Sequence, residues 1–83
     1  MDTNLAYLRE SLSNHLENHP LCQHMYDKLE QSAYKDEEQF VRSLNEQETE
    51  ILNLILRAEI NYARQEEDQV REEQLIGVYE LLI

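Results

Sequence analysis

The chain holds one glycine, one proline, one cysteine and no tryptophan in 83 residues, and these shortages close off whole classes of structure and chemistry. With Gly77 alone, neither a phosphate-cradling loop nor a dinucleotide-binding fingerprint can be written, because both need several glycines at fixed spacing. Pro20 and Gly77 are also the only breakers, so little in the sequence stops or reverses a helix. Cys22 alone excludes an internal disulfide and a paired-cysteine zinc pattern; it fits a reducing compartment, while leaving a thiol link between two chains open. Positive charge is scarce too. Seven Lys and Arg face 18 Asp and Glu, and the formal net charge of −11 repels phosphate backbones and anionic headgroups, so no nucleic-acid partner is expected. No segment approaches the roughly 20 apolar residues of a membrane span, and the opening MDTNLAYLRE lacks the basic start and apolar run of a secretion signal. The expectation is a cytoplasmic protein without membrane contact.

What is present is helical pattern. Behind the candidate caps Asp2, Thr3 and Asn4, Leu5, Leu8, Leu12 and Leu16 recur at helical spacing, and Asn18, His19 and Pro20 end that stretch. Pro20 suits the first turn of a second helix carrying Leu21, Cys22, Met25, Tyr26 and Leu29. Asp36, with Gln39 in capping-box position, opens a short helix through Phe40, Val41 and Leu44. Asn45, followed by Glu46, Gln47 and Glu48, caps the last one. From Glu46 to Leu82 only Gly77 interrupts, so the sequence permits a single helix of about 37 residues, or roughly 55 Å. The predicted fold is all-α: one domain over residues 1–83, a small antiparallel bundle of three to four helices with a long C-terminal helix.

That long segment changes character. Ile51, Leu52, Ile55, Leu56, Ala58, Tyr62 and Ala63 define an inward face interrupted by Glu59, and the same face turns polar at Glu66, Gln69 and Glu73. A second apolar cluster, Leu75, Ile76, Val78, Tyr79, Leu82 and Ile83, points instead toward the side of Arg57. Either the chain bends between Arg64 and Gln74, or the two ends meet different partners. On this reading Leu75, Ile76, Val78, Tyr79 and Leu82 form a partner-binding patch for a second copy or another protein. Arg57, Arg64 and Arg71 stand in one column, read as a solvated face with Glu67 near Arg71 and Asp68 near Arg64, or else as a docking stripe for an acidic partner.

His15, His19, Cys22 and His24 follow H-x3-H-x2-C-x-H and have the side chains zinc takes. Alternate residues of one helix diverge, however, and Cys22 falls on the apolar side with Met25, so no metal or cofactor is expected. Metal or ligand binding by these four residues stands as the alternative. No catalytic residue is assigned and no small-molecule substrate is identified. The carboxylates look dispersed over helix surfaces, Ser11, Ser13, Ser32 and Ser43 lack a nucleophile-elbow setting, and the five tyrosines suit the core margin.

The stretch Tyr7-Leu8-Arg9-Glu10-Ser11-Leu12-Ser13-Asn14-His15-Leu16-Glu17-Asn18, the central Glu37-Glu38-Gln39-Phe40-Val41 and the closing Val78-Tyr79-Glu80-Leu81-Leu82 resemble the small sigma-G-dependent sporulation-specific SASP family of endospore-forming bacilli. The resemblance spans nearly the whole chain and rests on packing and helix-surface motifs, so it carries no catalytic residue across. It implies expression in the forespore, residence in the forespore or spore interior, and an unassigned biochemical role. DNA-coating small acid-soluble proteins need a surface that approaches phosphates, which a strongly acidic chain without a basic patch does not offer. The expected function is a small acidic, non-enzymatic interaction or regulatory module.

Overall fold

The computed structural model describes residues 3–31 and 33–82. Asp2, read as a candidate cap, Ser32, read as lacking a nucleophile's setting, and Ile83 of the C-terminal apolar cluster lie outside the described residues. Five helices follow one another: α1 (Thr3–Ser13), α2 (Pro20–Gln31), α3 (Glu37–Arg42), α4 (Glu46–Gln65) and α5 (Gln69–Leu82), with no strand among the described residues. None of these helices is long and apolar enough to cross a membrane.

Local chemistry sets most boundaries. Pro20 occupies the first position of α2, where its missing N–H is no loss. Asp36 accepts the Gln39 N–H at 2.9 Å, while the Gln39 side chain reaches back one residue beyond the cap to the Lys35 N–H at 2.6 Å. At α4 the box is complete: Asn45 accepts the Glu48 N–H at 2.8 Å, and Glu48 accepts the Asn45 N–H at 3.0 Å. The first helix is shorter than the leucine spacing suggests. After Ser13 the N–H groups of Asn14, His15 and Asn18 bond the carbonyls of Ser11, Leu12 and His15, three residues back, at 3.0–3.2 Å. These tight turns leave Leu16 half-buried.

The 37-residue rod permitted by the sequence does not exist. Glu67 adopts φ 58°, the left-handed region. The Asp68 N–H bonds Ala63 O at 2.9 Å and the Glu67 N–H bonds Arg64 O at 3.1 Å, the two bonds of a Schellman motif with glutamate where glycine is usual. Asp68 then caps α5 by accepting the Arg71 N–H at 3.1 Å. A left-handed residue costs about 1–2 kcal/mol, whereas burying an aliphatic side chain contributes about 1.5–3 kcal/mol. The reversal buries both Leu75 and Val78 completely, so burial wins.

Each helix contributes to one core. Leu5, Leu8 and Leu12 come from α1, Cys22, Met25 and Leu29 from α2, and Phe40 from α3, where its ring meets Tyr34 edge-on at 5.2 Å. On α4 the inward face is Leu52, Ile55, Leu56, Ile60 and Ala63. It is rotated from the sequence reading: Ile60 and Glu59 are buried, while Ala58 and Tyr62 stand outside. The ends of the chain meet here, since α5 packs on both α4 and α1.

Replacing Leu52 with Ala is expected to lower stability by about 2–5 kcal/mol, while the exposed Leu54→Ala stays within about 0.5 kcal/mol of wild type. Glu67→Gly is expected to raise stability by about 0.5–1 kcal/mol, as relief of the left-handed strain outweighs the added freedom of the unfolded chain. Urea unfolding at neutral pH checks all three; a Glu67→Gly variant no more stable than wild type removes the strain argument.

Candidate functional site

Two carboxylates of α4 are buried, and each gathers partners from other elements. Glu48, with its side chain 3% exposed, joins the cap of its own helix to α2: Oε2 lies 2.8 Å from His24 Nδ1 and Oε1 lies 3.8 Å from Lys28 Nζ. Lys28 also donates to the Ser43 carbonyl at 3.1 Å, just after α3. Burial pushes the Glu48 carboxyl up, but the Asn45 N–H, His24 and Lys28 together outweigh it and hold the group below the usual glutamate range.

Glu59, 6% exposed at its side chain, is the centre of the second cluster. Its Oε1 accepts the Asn14 amide N–H at 3.1 Å and lies 3.1 Å from His15 Nε2, while Oε2 lies 3.9 Å from the Arg71 guanidinium. Arg71 continues to Glu10 at 2.6 Å. Burial opposes the Arg71 charge, but Glu10 and Glu59 outweigh it and raise its pKa. The Asn18 amide sits 2.7 Å from His15 Nδ1. With that amide donating, the imidazole is the tautomer whose Nε2–H donates to Glu59. The cluster thus ties α1, the turn after it, α4 and α5 together.

This arrangement is ill suited to acid–base or nucleophilic chemistry. Both nitrogens of His15 are engaged, and the Cys22 thiol is pushed up by burial, away from the reactive thiolate. Ser13 and Ser43 donate to the carbonyls of Glu10 and Phe40, each at 2.6 Å. Ser11 Oγ is fully buried without a protein partner, as is Arg71 Nε. What remains accessible is relief on the surface. Leu54 and Tyr62, 60% and 58% exposed, stand one turn on either side of the exposed Ala58. Beside this ridge runs a groove in two parts meeting at His15 and Ala58, of about 450 Å³ toward Asn14 and Tyr62 and about 400 Å³ toward His19, Cys22 and Ile55.

The four candidate ligands are not brought together. His15 faces Glu59, His19 Nδ1 accepts the Leu21 N–H at 3.0 Å, Cys22 is buried, and His24 faces Glu48. Among the described residues no three His, Cys, Asp or Glu side chains gather as a metal would require. His15, His19 and Cys22 line one groove, but the tight turns after Ser13 set the His15 ring on Glu59 of α4 and His24 faces Glu48, so the four side chains do not converge on one point. The C-terminal patch is divided as well. Leu75 and Val78 pack the chain's own core because the reversal at Glu67 carries them inward, and Ile76, Tyr79 and Leu82 are half-buried against it. Of the arginine column, Arg64 meets Glu72 at 2.8 Å, Arg71 turns inward, and Arg57 is exposed; Asp68 caps α5 instead of meeting Arg64. The buried carboxylates escaped the sequence reading. Their signals are the place of Glu48 three residues after Asn45 and that of Glu59 inside an apolar stripe.

Because the folded pKa of Glu48 is lowered, its contribution is present above the unfolded value of about 4.3 and is lost as pH falls through that value toward the folded one. Glu48→Gln is expected to weaken the protein at neutral pH and to flatten its decline below about pH 4.3. Unfolding curves across an acid pH series test this; an unchanged acid slope in the variant assigns the loss to other carboxylates.

The family described as minor curli fiber component A (CsgA) matches residues 1–83. The sigma-G-dependent sporulation-specific SASP protein of Bacillus subtilis (strain 168) is 51% identical over 83 residues, with 100% of both chains covered. No solved structure matches. The described residues are helical, and the fiber that the family description names is not carried to this chain. With a match over its full length and a relative 51% identical from end to end, the chain belongs to the family of the sigma-G-dependent sporulation-specific SASP protein.

Proposed function

We propose that the chain serves sporulation as a non-enzymatic helical interaction module in the forespore or spore interior, acting through the outer face of α4. The observation that carries this reading is the ridge of Leu54, Ala58 and Tyr62, with large apolar surface left in water on the central helix of the fold. Single exposed apolar residues are ordinary, but three in one row beside a groove make a surface that gains by being covered. The engagement of His15, the buried thiol and the bonded serines favour binding over catalysis. The sporulation setting comes from the relative's name. The C-terminal patch supports the reading less, because two of its five residues are wholly internal.

The test is the native mass of the chain in extracts of a sporulating host. Wild type is expected to elute well above its 10.0 kDa monomer mass, and Leu54→Ser with Tyr62→Ser to return it to the monomer while leaving helix content unchanged. A wild-type chain that elutes as a free monomer throughout sporulation overturns the interaction reading.

A further inference from the structure

Resting on that reading, we infer that the outer face of α4 pairs antiparallel with the same face of a second copy of this chain. Its shape is self-complementary. Leu54 and Tyr62 lie four residues to either side of Ala58, so a two-fold axis through the small Ala58 sets Leu54 of each copy beside Tyr62 of the other. The row is an i±4 ridge, and the groove lined by Cys22, Ile51 and Ile55 runs alongside it, so each copy offers both the ridge and the recess that receives it.

Charge supports the same partner. Between Ile51 and Gln65 the only carboxylate is Glu59, and it is buried, so this stretch of α4 shows Arg57 and Arg64 and no exposed acid, with Glu50 bordering it next to Leu54. In a chain of net charge −11, a stretch without exposed acid lowers the repulsion that two copies meet there. Toward the start of the helix, Glu46 and Glu50 occupy the same flank as the two arginines. The flank is therefore negative at one end and positive at the other, which is complementary to itself when reversed. Glu50 lies eight residues before Ala58 and Arg64 six after it, so the same axis brings Glu50 of each copy to within two residues, roughly 3 Å along the helix and within side-chain reach, of the level of Arg64 of the other. Arg64 holds Glu72 through Nε, leaving its terminal nitrogens for this contact. The two Arg57 side chains meet near the axis, a repulsion that the two symmetric Glu50–Arg64 pairs outnumber. Salt is expected to strengthen the dimer, because it screens repulsion over the whole acidic surface more than attraction within the contact.

Sedimentation equilibrium of the purified full chain tests the pairing, with helix content and melting temperature followed for every variant. Wild type is expected to dimerise. Glu50→Arg alone and Arg64→Glu alone are each expected to weaken the dimer about tenfold, since each change acts twice across the axis, and the double exchange is expected to recover most of the loss. Leu54→Ser with Tyr62→Ser should give a folded monomer. A purified chain that stays monomeric at high concentration and high salt, while the complex in extracts persists, overturns self-pairing and leaves the interaction reading standing with a different protein as partner. Monomer in both settings overturns both. A dimer indifferent to the ridge variant, or one that the double exchange fails to restore, places the contact elsewhere or in another register and overturns the inference.

Discussion

The reversal at Glu66, Glu67 and Asp68 is the constraint on which the rest of the fold depends, because it is the point where a rod becomes a closed core. Twenty residues of α4 account for about 30 Å, and the longest dimension of the molecule is 31 Å. All of α5 is therefore accommodated alongside what came before it. The turn is made without glycine or proline, from three consecutive acidic residues. Its stability comes from two bonded carbonyls at the end of α4, the Asp68 cap on the next helix, and the apolar side chains that follow.

Once α5 lies on α4 and α1, its rotation still has to be fixed, and polar groups can do this where leucines cannot. Arg71 meets Glu59 on α4 and Glu10 on α1, and Glu59 also holds Asn14 and His15. Desolvation removes much of the net gain from such a cluster, but a shifted register would strand a buried charge, which is far more unfavourable. Glu48 has the same role at the other end of α4, where a capping bond, an imidazole and an ammonium converge on one carboxylate. Apolar area holds the helices together; these two glutamates specify how they meet.

The sequence was most legible where a signal is local. Pro20, Asp36 and Asn45 open helices as their chemistry requires, and the leucine spacing places Leu5, Leu8 and Leu12 inside. The divergence of two apolar patches offered a bend between Arg64 and Gln74 as one of two readings, and the reversal falls inside that interval, but the residue that makes it was not legible, since Glu67 has no breaker's signature and takes a left-handed conformation only because the tertiary structure rewards it. The inward face of α4 was misplaced for a related reason: Glu59 reads as an interruption until Asn14, His15 and Arg71, distant in sequence, supply its partners. Nothing local distinguishes a histidine held by a buried glutamate from one waiting for metal. The exposed ridge was hidden in the same way, because Ala58 and Tyr62 belong by composition to a core.

The pairing of α1 with α5 bears on the order of events during synthesis. Glu10 and Arg71 are 61 positions apart, and the helix that carries Leu75 and Val78 is the last of the five to emerge. Until then, α1 has α2 and α4 to pack on but not α5, and a growing chain can form helices without closing its interior. Closure of the core thus waits for α5, and a chain that stops before it is left with uncovered apolar faces, the form that proteases remove and chaperones retain.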